Sequence, residues 1–202
     1  MLSLAYAERH PDRVSEVVLA AVDVGRHRDV DWLYGEARRF YPEAWDRFLA
    51  GAGSPPDGNV VGAYARLVED SDPDVREQAA IDWCEWEDAL VSHELQGKSG
   101  VFIGRPGPDR MALVRICAHY NSHYLFLDDG ELIREAGLLA GIPGVLVHGR
   151  LDMNAPLEGV WELAKAWPDA RLLVAEDAGH FDSETKVGYI YEAISQFADR
   201  AT

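Results

Sequence analysis

Residues 144–180, GVLVHGRLDMNAPLEGVWELAKAWPDARLLVAEDAGH, read as strand, acidic turn, helix, strand and a loop that carries a histidine. The run Val145-Leu146-Val147 is short, apolar and bounded by Gly144 and Gly149, the pattern of a parallel strand buried on both faces. Asp152 follows, and Pro156 suits the first turn of a helix. Leu157, Val160, Trp161, Ala164 and Trp167 then recur at helical spacing. Residues 171–175 form a second apolar run, and Gly179-His180 comes directly after it. A strand–helix–strand crossover is right-handed in nearly all proteins and leaves its two strands parallel. Asp152 and His180 are thereby expected at the carboxyl ends of adjacent strands, the edge at which open α/β sheets carry their sites. A carboxylate and an imidazole so placed are two-thirds of a hydrolytic triad.

Outward from this unit, the 202 residues suit one domain or one domain with an insertion. An apolar content of 48%, with six Trp and eight Tyr, is enough for a core and speaks against disorder. Nineteen basic against 35 acidic residues give a net charge of −16. Nucleic acid and anionic membranes both reward positive patches, so neither is expected as a partner. Cys84 and Cys117 are far apart with no C-x-x-C spacing and read as reduced thiols in a cytoplasmic protein. No apolar stretch approaches 18 residues and no signal peptide heads the chain.

Residues 1–14, MLSLAYAERHPDRV, read as the end of a helix closed at His10-Pro11, because the residue before a proline is pushed out of helical space. Residues 16–22, EVVLAAV, are a strand. The first unit thus resembles the second half of a βαβ motif whose leading strand is absent. From Gly25 to about Leu127 the pattern is helical: Trp32, Leu33, Ala37, Phe40 and Tyr41 form one stripe, and Ala44, Trp45, Phe48 and Leu49 another. Residues 51–59 are a loop by composition, and residues 60–68 a helix. Asp72-Pro73 is an N-cap with a first-turn proline that opens a longer helix with Val75, Ala79, Trp83, Trp86 and Leu90 inward. Residues 97–109 read as a second loop, residues 111–125 as a further helix, and residues 187–197 as a last helix with Ile190, Ala193, Ile194 and Phe197 on one face. The aromatic helical block, inserted between two strands, is expected to be a lid over the catalytic edge, where substrate specificity resides.

Four segments taken together resemble the proline iminopeptidases, prolyl aminopeptidases of the α/β-hydrolase superfamily. They are LAYAERHPDRVSEVVL (4–19), DVDWLYGEARRFYPEAWDRFL (29–49), WCEWEDAL (83–90) and the run from Ile142 to His180. The resemblance implies an α/β-hydrolase fold, N-terminally truncated, with an inserted α-helical cap. Residues 1–24 would be a remnant of the hydrolase core, residues 25–135 the cap, and residues 136–202 the C-terminal core. The implied activity is that of a serine hydrolase releasing N-terminal proline from peptides, with no cofactor and no metal. By the same resemblance Asp152 is the triad acid and His180 the general base. The nucleophilic serine of the family's G-x-S-x-G elbow would fall a few residues before Met1, together with the oxyanion hole. The chain alone is therefore expected to be inactive. Two cap glutamates hold the substrate's free amino group in that family; Glu87 in Trp86-Glu87-Asp88-Ala89 matches the first. At the second, Asn121 stands where an acid is expected, and a neutral amide cannot balance an ammonium.

Other readings remain open. Another capped α/β-hydrolase, an esterase or epoxide hydrolase, would share the motifs, and a non-catalytic remnant or binding protein would keep them without the chemistry. His119 and His123 have the i, i+4 spacing of two metal ligands, but the glutamate of H-E-x-x-H is missing, and packing is the better reading. His148, inside a strand, reads as a core histidine. Gly104-Arg105-Pro106-Gly107 lacks the G-K-[ST] of a phosphate loop. An apolar sheet edge left open would favour self-association.

Overall fold

The computed structural model describes residues 1–94 and 100–200; the first three residues of the 97–109 loop lie outside the described residues. In chain order the elements are α1 (Leu2–Arg9), β1 (Val17–Ala20), α2 (His27–Leu33), α3 (Pro42–Gly51), α4 (Val60–Leu67), α5 (Pro73–Val91), α6 (Gly107–Ser122), α7 (Glu131–Glu135), β2 (Gly144–Gly149), α8 (Leu157–Ala166), β3 (Ala170–Ala175) and α9 (Glu184–Arg200). They divide into two compact units, Met1–Asp29 with Leu127–Thr202 and Val30–Phe126. Among the described residues no helix is long and apolar enough to cross a membrane.

The first unit is a three-stranded parallel sheet in the order β1-β2-β3, with Val17 opposite Gly144 and Gly144 opposite Ala170. Every residue of β2 is buried, as a central strand covered on both faces requires. The strand's two-residue period divides its side chains. Leu146 joins Leu4, Val160, Leu163 and Trp167 on the α1 and α8 face. Val145 and Val147 meet Ala193 and Phe197 of α9 on the other. Gly144 admits the Trp167 ring: a Cβ there would lie 2.6 Å from it. The indole Nε1–H donates to the Ile142 carbonyl at 2.9 Å, so this ring is both packed and satisfied.

Three details depart from the sequence reading. β1 stops at Ala20 because Ala21 takes φ 50°, turning Val22 and Val24 into the core as loop residues. On α8 the buried positions are Gly159, Val160 and Leu163, while Trp161 is 51% exposed with the Lys165 ammonium 5.4 Å over its ring. On α9 the inward face is Tyr189, Ile190, Ala193 and Phe197, and Ile194 faces solvent.

The second unit is all helical around an aromatic cluster. Phe48 stacks on Tyr64 at 4.5 Å and on Trp86 at 5.6 Å, and Tyr34 lies 4.8 Å from Trp83. Two side-chain caps start its helices. Asn59 accepts from the Gly62 amide, and Asp72 from the Asp74 amide, with Pro73 in the first turn of α5. Trp83, Trp86 and Leu90 of α5 are fully buried, whereas Phe40 is exposed. The buried Asp88 carboxylate accepts the Phe102 and Ile103 amides at 2.9 and 3.0 Å and so secures the turn that leads into α6. α6 ends at Ser122, short of the expected Leu125, because Tyr124, Leu125 and Phe126 all take positive φ.

Candidate active site

The chemistry-bearing residues of the first unit collect where β2 and β3 end. Past Gly149 the pairing continues as a loop: the Arg150 amide donates to the Ala175 carbonyl at 2.9 Å and Leu151 to Ala178 at 3.0 Å. Gly149 makes that approach achievable, since a Cβ on it would lie 2.1 Å from the Gly179 carbonyl oxygen. The two loops are thus pressed together one residue before His180 and three before Asp152.

Asp152 is 4% exposed, and its Oδ1 accepts the Asn154 and Ala155 amides at 3.0 and 2.9 Å. These bonds fix the carboxylate as the turn residue that leads into α8. His180 Nδ1 stands 3.3 Å from the same oxygen, with the imidazole about one-third exposed. Burial pushes the Asp152 carboxyl up. Its contact with His180, the imidazoles of His180 and His148 and the Ala155 amide outweigh that push, and the net shift is downward. The acid is thereby held ionised while the ring's far edge faces outward.

His148 is fully buried and has both nitrogens engaged. Nδ1 accepts the Val22 amide at 3.2 Å and Nε2 lies 2.7 Å from the Ala155 carbonyl. These partners assign the neutral tautomer with the proton on Nε2. Burial, the first cause, lowers its pKa, and the nearby Lys186 and His180 charges add to that. The ring ties the exit of β1 to the Asp152 turn. Its distance of 3.7 Å to Asp152 Oδ2 is too long for a hydrogen bond, and that oxygen has no hydrogen-bond partner among the described residues.

Glu87 and Asn121 belong to the second unit. Glu87 is buried and accepts the Tyr34 hydroxyl at 2.8 Å. The Asn121 amide donates to the Cys117 carbonyl at 2.9 Å and reaches the same hydroxyl at 3.4 Å. Tyr34 therefore joins the two positions that the sequence singled out. It lines a cleft of about 370 Å³ with Asp31, Asp57, Asn59, Asn121 and Tyr124, which Glu87 itself does not line. A larger groove of about 540 Å³ runs between α4 and α6 along Arg66, Arg115, Ile116, His119 and His123, and neither Glu87 nor Asn121 lines it. His123 Nδ1 turns back to the His119 carbonyl at 2.8 Å and its ring stacks on Phe126 at 4.8 Å. No group of three or more His, Cys, Asp or Glu suited to a metal occurs among the described residues. Burial pushes the Cys84 and Cys117 thiols up to about 12, which leaves both unreactive near neutral pH.

Sequence reasoning did not single out Tyr34, or the bracing roles of His148 and Gly149. Tyr34 falls outside the stripe of Trp32, Leu33, Ala37, Phe40 and Tyr41, and its spacing does not show the partner of its hydroxyl. The two glycines that bound Val145–His148 were a signal only for strand ends.

The α/β-hydrolase fold family matches residues 1–187. The chain is 40% identical to a probable proline iminopeptidase of Streptomyces coelicolor over 210 aligned residues, which cover all of this chain and 63% of that protein. It is 37% identical to a proline iminopeptidase of Xylella fastidiosa, covering 89% of this chain and 58% of the relative. With a proline iminopeptidase of Arabidopsis thaliana the identity is 32%, over 91% of this chain and 49% of the relative. The chain thus spans half to about three-fifths of the length of the curated relatives it matches.

Proposed function

The chain belongs to the α/β-hydrolase fold family, and from that premise we propose that it carries the acid and the base of a proline iminopeptidase-like serine hydrolase, which releases N-terminal proline from peptides. The observation that supports this reading best is the 3.3 Å approach of His180 Nδ1 to the buried, ionised Asp152. In that role Asp152 accepts the Nδ1–H and holds the tautomer, which leaves His180 Nε2 as the proton acceptor. Nε2 takes the proton of a serine hydroxyl as it attacks the scissile carbonyl, then delivers it to the departing amine. The Asp152 charge stabilises the imidazolium between these two transfers. The 202 residues contain no G-x-S-x-G sequence. On this reading the nucleophile and the oxyanion donors come from polypeptide outside them.

By the resemblance Glu87 corresponds to a cap glutamate that holds the substrate's free amino end; its buried carboxylate accepts the Tyr34 hydroxyl, and Tyr34 is the residue of this pair that lines the cleft. Asn121 contributes an amide where the resemblance calls for a second acid. It can accept a hydrogen bond but does not neutralise an ammonium, so selectivity for a charged amino terminus is weaker than with two acids.

The experiment joins the chain to the elbow-bearing N-terminal segment of the Streptomyces coelicolor relative and follows proline release from proline-naphthylamide. The joined protein is expected to release proline and the 202-residue chain alone none. Release by the chain alone, or none from a folded joined protein, contradicts the proposal.

A further inference from the structure

The loop that carries His180 is organised around a buried cation. Lys186, in the first turn of α9, is 1% exposed. Its Nζ lies 3.2 Å from the Gly179 carbonyl, 2.8 Å from that of His180 and 3.2 Å from that of Phe181. Three acceptors converge on one nitrogen, and only the ammonium form has three N–H bonds to give them. The nearest carboxylate is the largely exposed Asp182, 3.9 Å away, so the charge is met mainly by carbonyl dipoles.

Such an arrangement is costly to keep, because an ion taken out of water loses its hydration and the three carbonyls have to replace it. The neighbouring positions on this face of α9, Tyr189, Ile190, Ala193 and Phe197, pack against β2. An apolar side chain at 186 would continue that stripe. The lysine departs from it, and the three carbonyls it gathers are those of the residue before His180, of His180 and of the residue after it. A second tie closes the two ends of the loop: the Asp177 carboxylate accepts the Ser183 and Thr185 hydroxyls at 3.0 and 2.9 Å.

We propose that Lys186 is a positioning residue for His180: its ammonium gathers the carbonyls of residues 179–181 and so sets the imidazole with Nδ1 toward Asp152. It works as a bound cation works in a ring of carbonyls, supplied here by the chain itself. The proposal rests on the reading of Asp152 and His180 as acid and base, yet the geometry it concerns needs no nucleophile and can be read in the chain as it stands.

The test is proton–nitrogen NMR of the histidine rings in the 202-residue chain and in Lys186→Gln and Lys186→Arg. His148 is hydrogen-bonded by Val22 and Ala155 and not by the lysine, so the persistence of its ring protons, though their shifts respond to the Lys186 charge, is the internal control for the fold. In the parent chain His180 is expected as the Nδ1–H tautomer with a downfield ring proton. Lys186→Gln, which keeps an N–H donor but not the charge, is expected to lose that proton while the His148 ring protons persist. Lys186→Arg is expected to restore it. A His180 signal unchanged in Lys186→Gln overturns the proposal. So does joint loss of the His148 and His180 signals, which would make the lysine a support of the fold alone. A parent chain that lacks the His180 signature overturns the acid–base reading, whereas proline release can fail without touching this result.

Discussion

Asp152, His148 and Glu8 show how burial acts differently on three titratable side chains. Asp152 is kept ionised by donors and imidazoles around it, and His148 is kept neutral by desolvation with both nitrogens paired. Glu8, 3% exposed on α1, has neither oxygen hydrogen-bonded among the described residues. Burial first, then the Glu135 charge, push its carboxyl up to about 8. Its sign is therefore opposite to that of a salt-bridged acid. The folded state keeps a proton that the unfolded chain has already released, so Glu8 weakens the fold progressively as pH rises from 4.5 to about 8. The lowered His148 pKa works the other way, with stability rising toward pH 6.5 and level above it. Glu8→Gln keeps the shape without the ionisation. It is expected to raise stability at pH 8 by on the order of 3 kcal/mol and to leave stability at pH 4 nearly unchanged. Urea melts of both proteins across this range read the difference, and equal midpoints at pH 8 would refute the assignment.

At the scale of elements, the sequence made legible what depends on local pattern. The central strand announced itself as an apolar run bounded by Gly144 and Gly149 and its partner as the run before Gly179-His180, and their order placed Asp152 and His180 at neighbouring strand ends. α5 was readable from Asp72-Pro73 and the spacing of its tryptophans. What stayed hidden depends on contacts remote in sequence. Ala21 ends β1 through its dihedral, Leu163 is buried on α8 where Trp161 is exposed, and a left-handed run at 124–126 stops α6. Asp88 and Lys186 were not singled out in the sequence, because the backbone groups that each one binds lie in the following or preceding loop. Gly149 is the point at which element packing bears most directly on the site. Gly149→Ala drives a Cβ into the Gly179 carbonyl, so the β2 and β3 loops must separate. A loss of roughly 2–4 kcal/mol is expected, in the range of severe overpacking. Thermal melting measures it, and a melting temperature within a degree of the parent would show that the loops yield freely.

At the scale of the molecule, the sheet unit holds a buried carboxylate 3.3 Å from an imidazole, and the helical unit holds a buried carboxylate bridged by a tyrosine to an amide. The relatives that share 32–40% of the aligned residues are longer than this chain, which spans 49–63% of their lengths. The central claim, that Asp152 holds His180 for proton transfer, is tested most directly by Asp152→Asn in the protein joined to the elbow-bearing segment. An asparagine keeps the turn but favours the wrong imidazole tautomer. The rate constant for proline release is then expected to fall on the order of 10⁴-fold with KM little changed. A rate within a few-fold of the parent would contradict it.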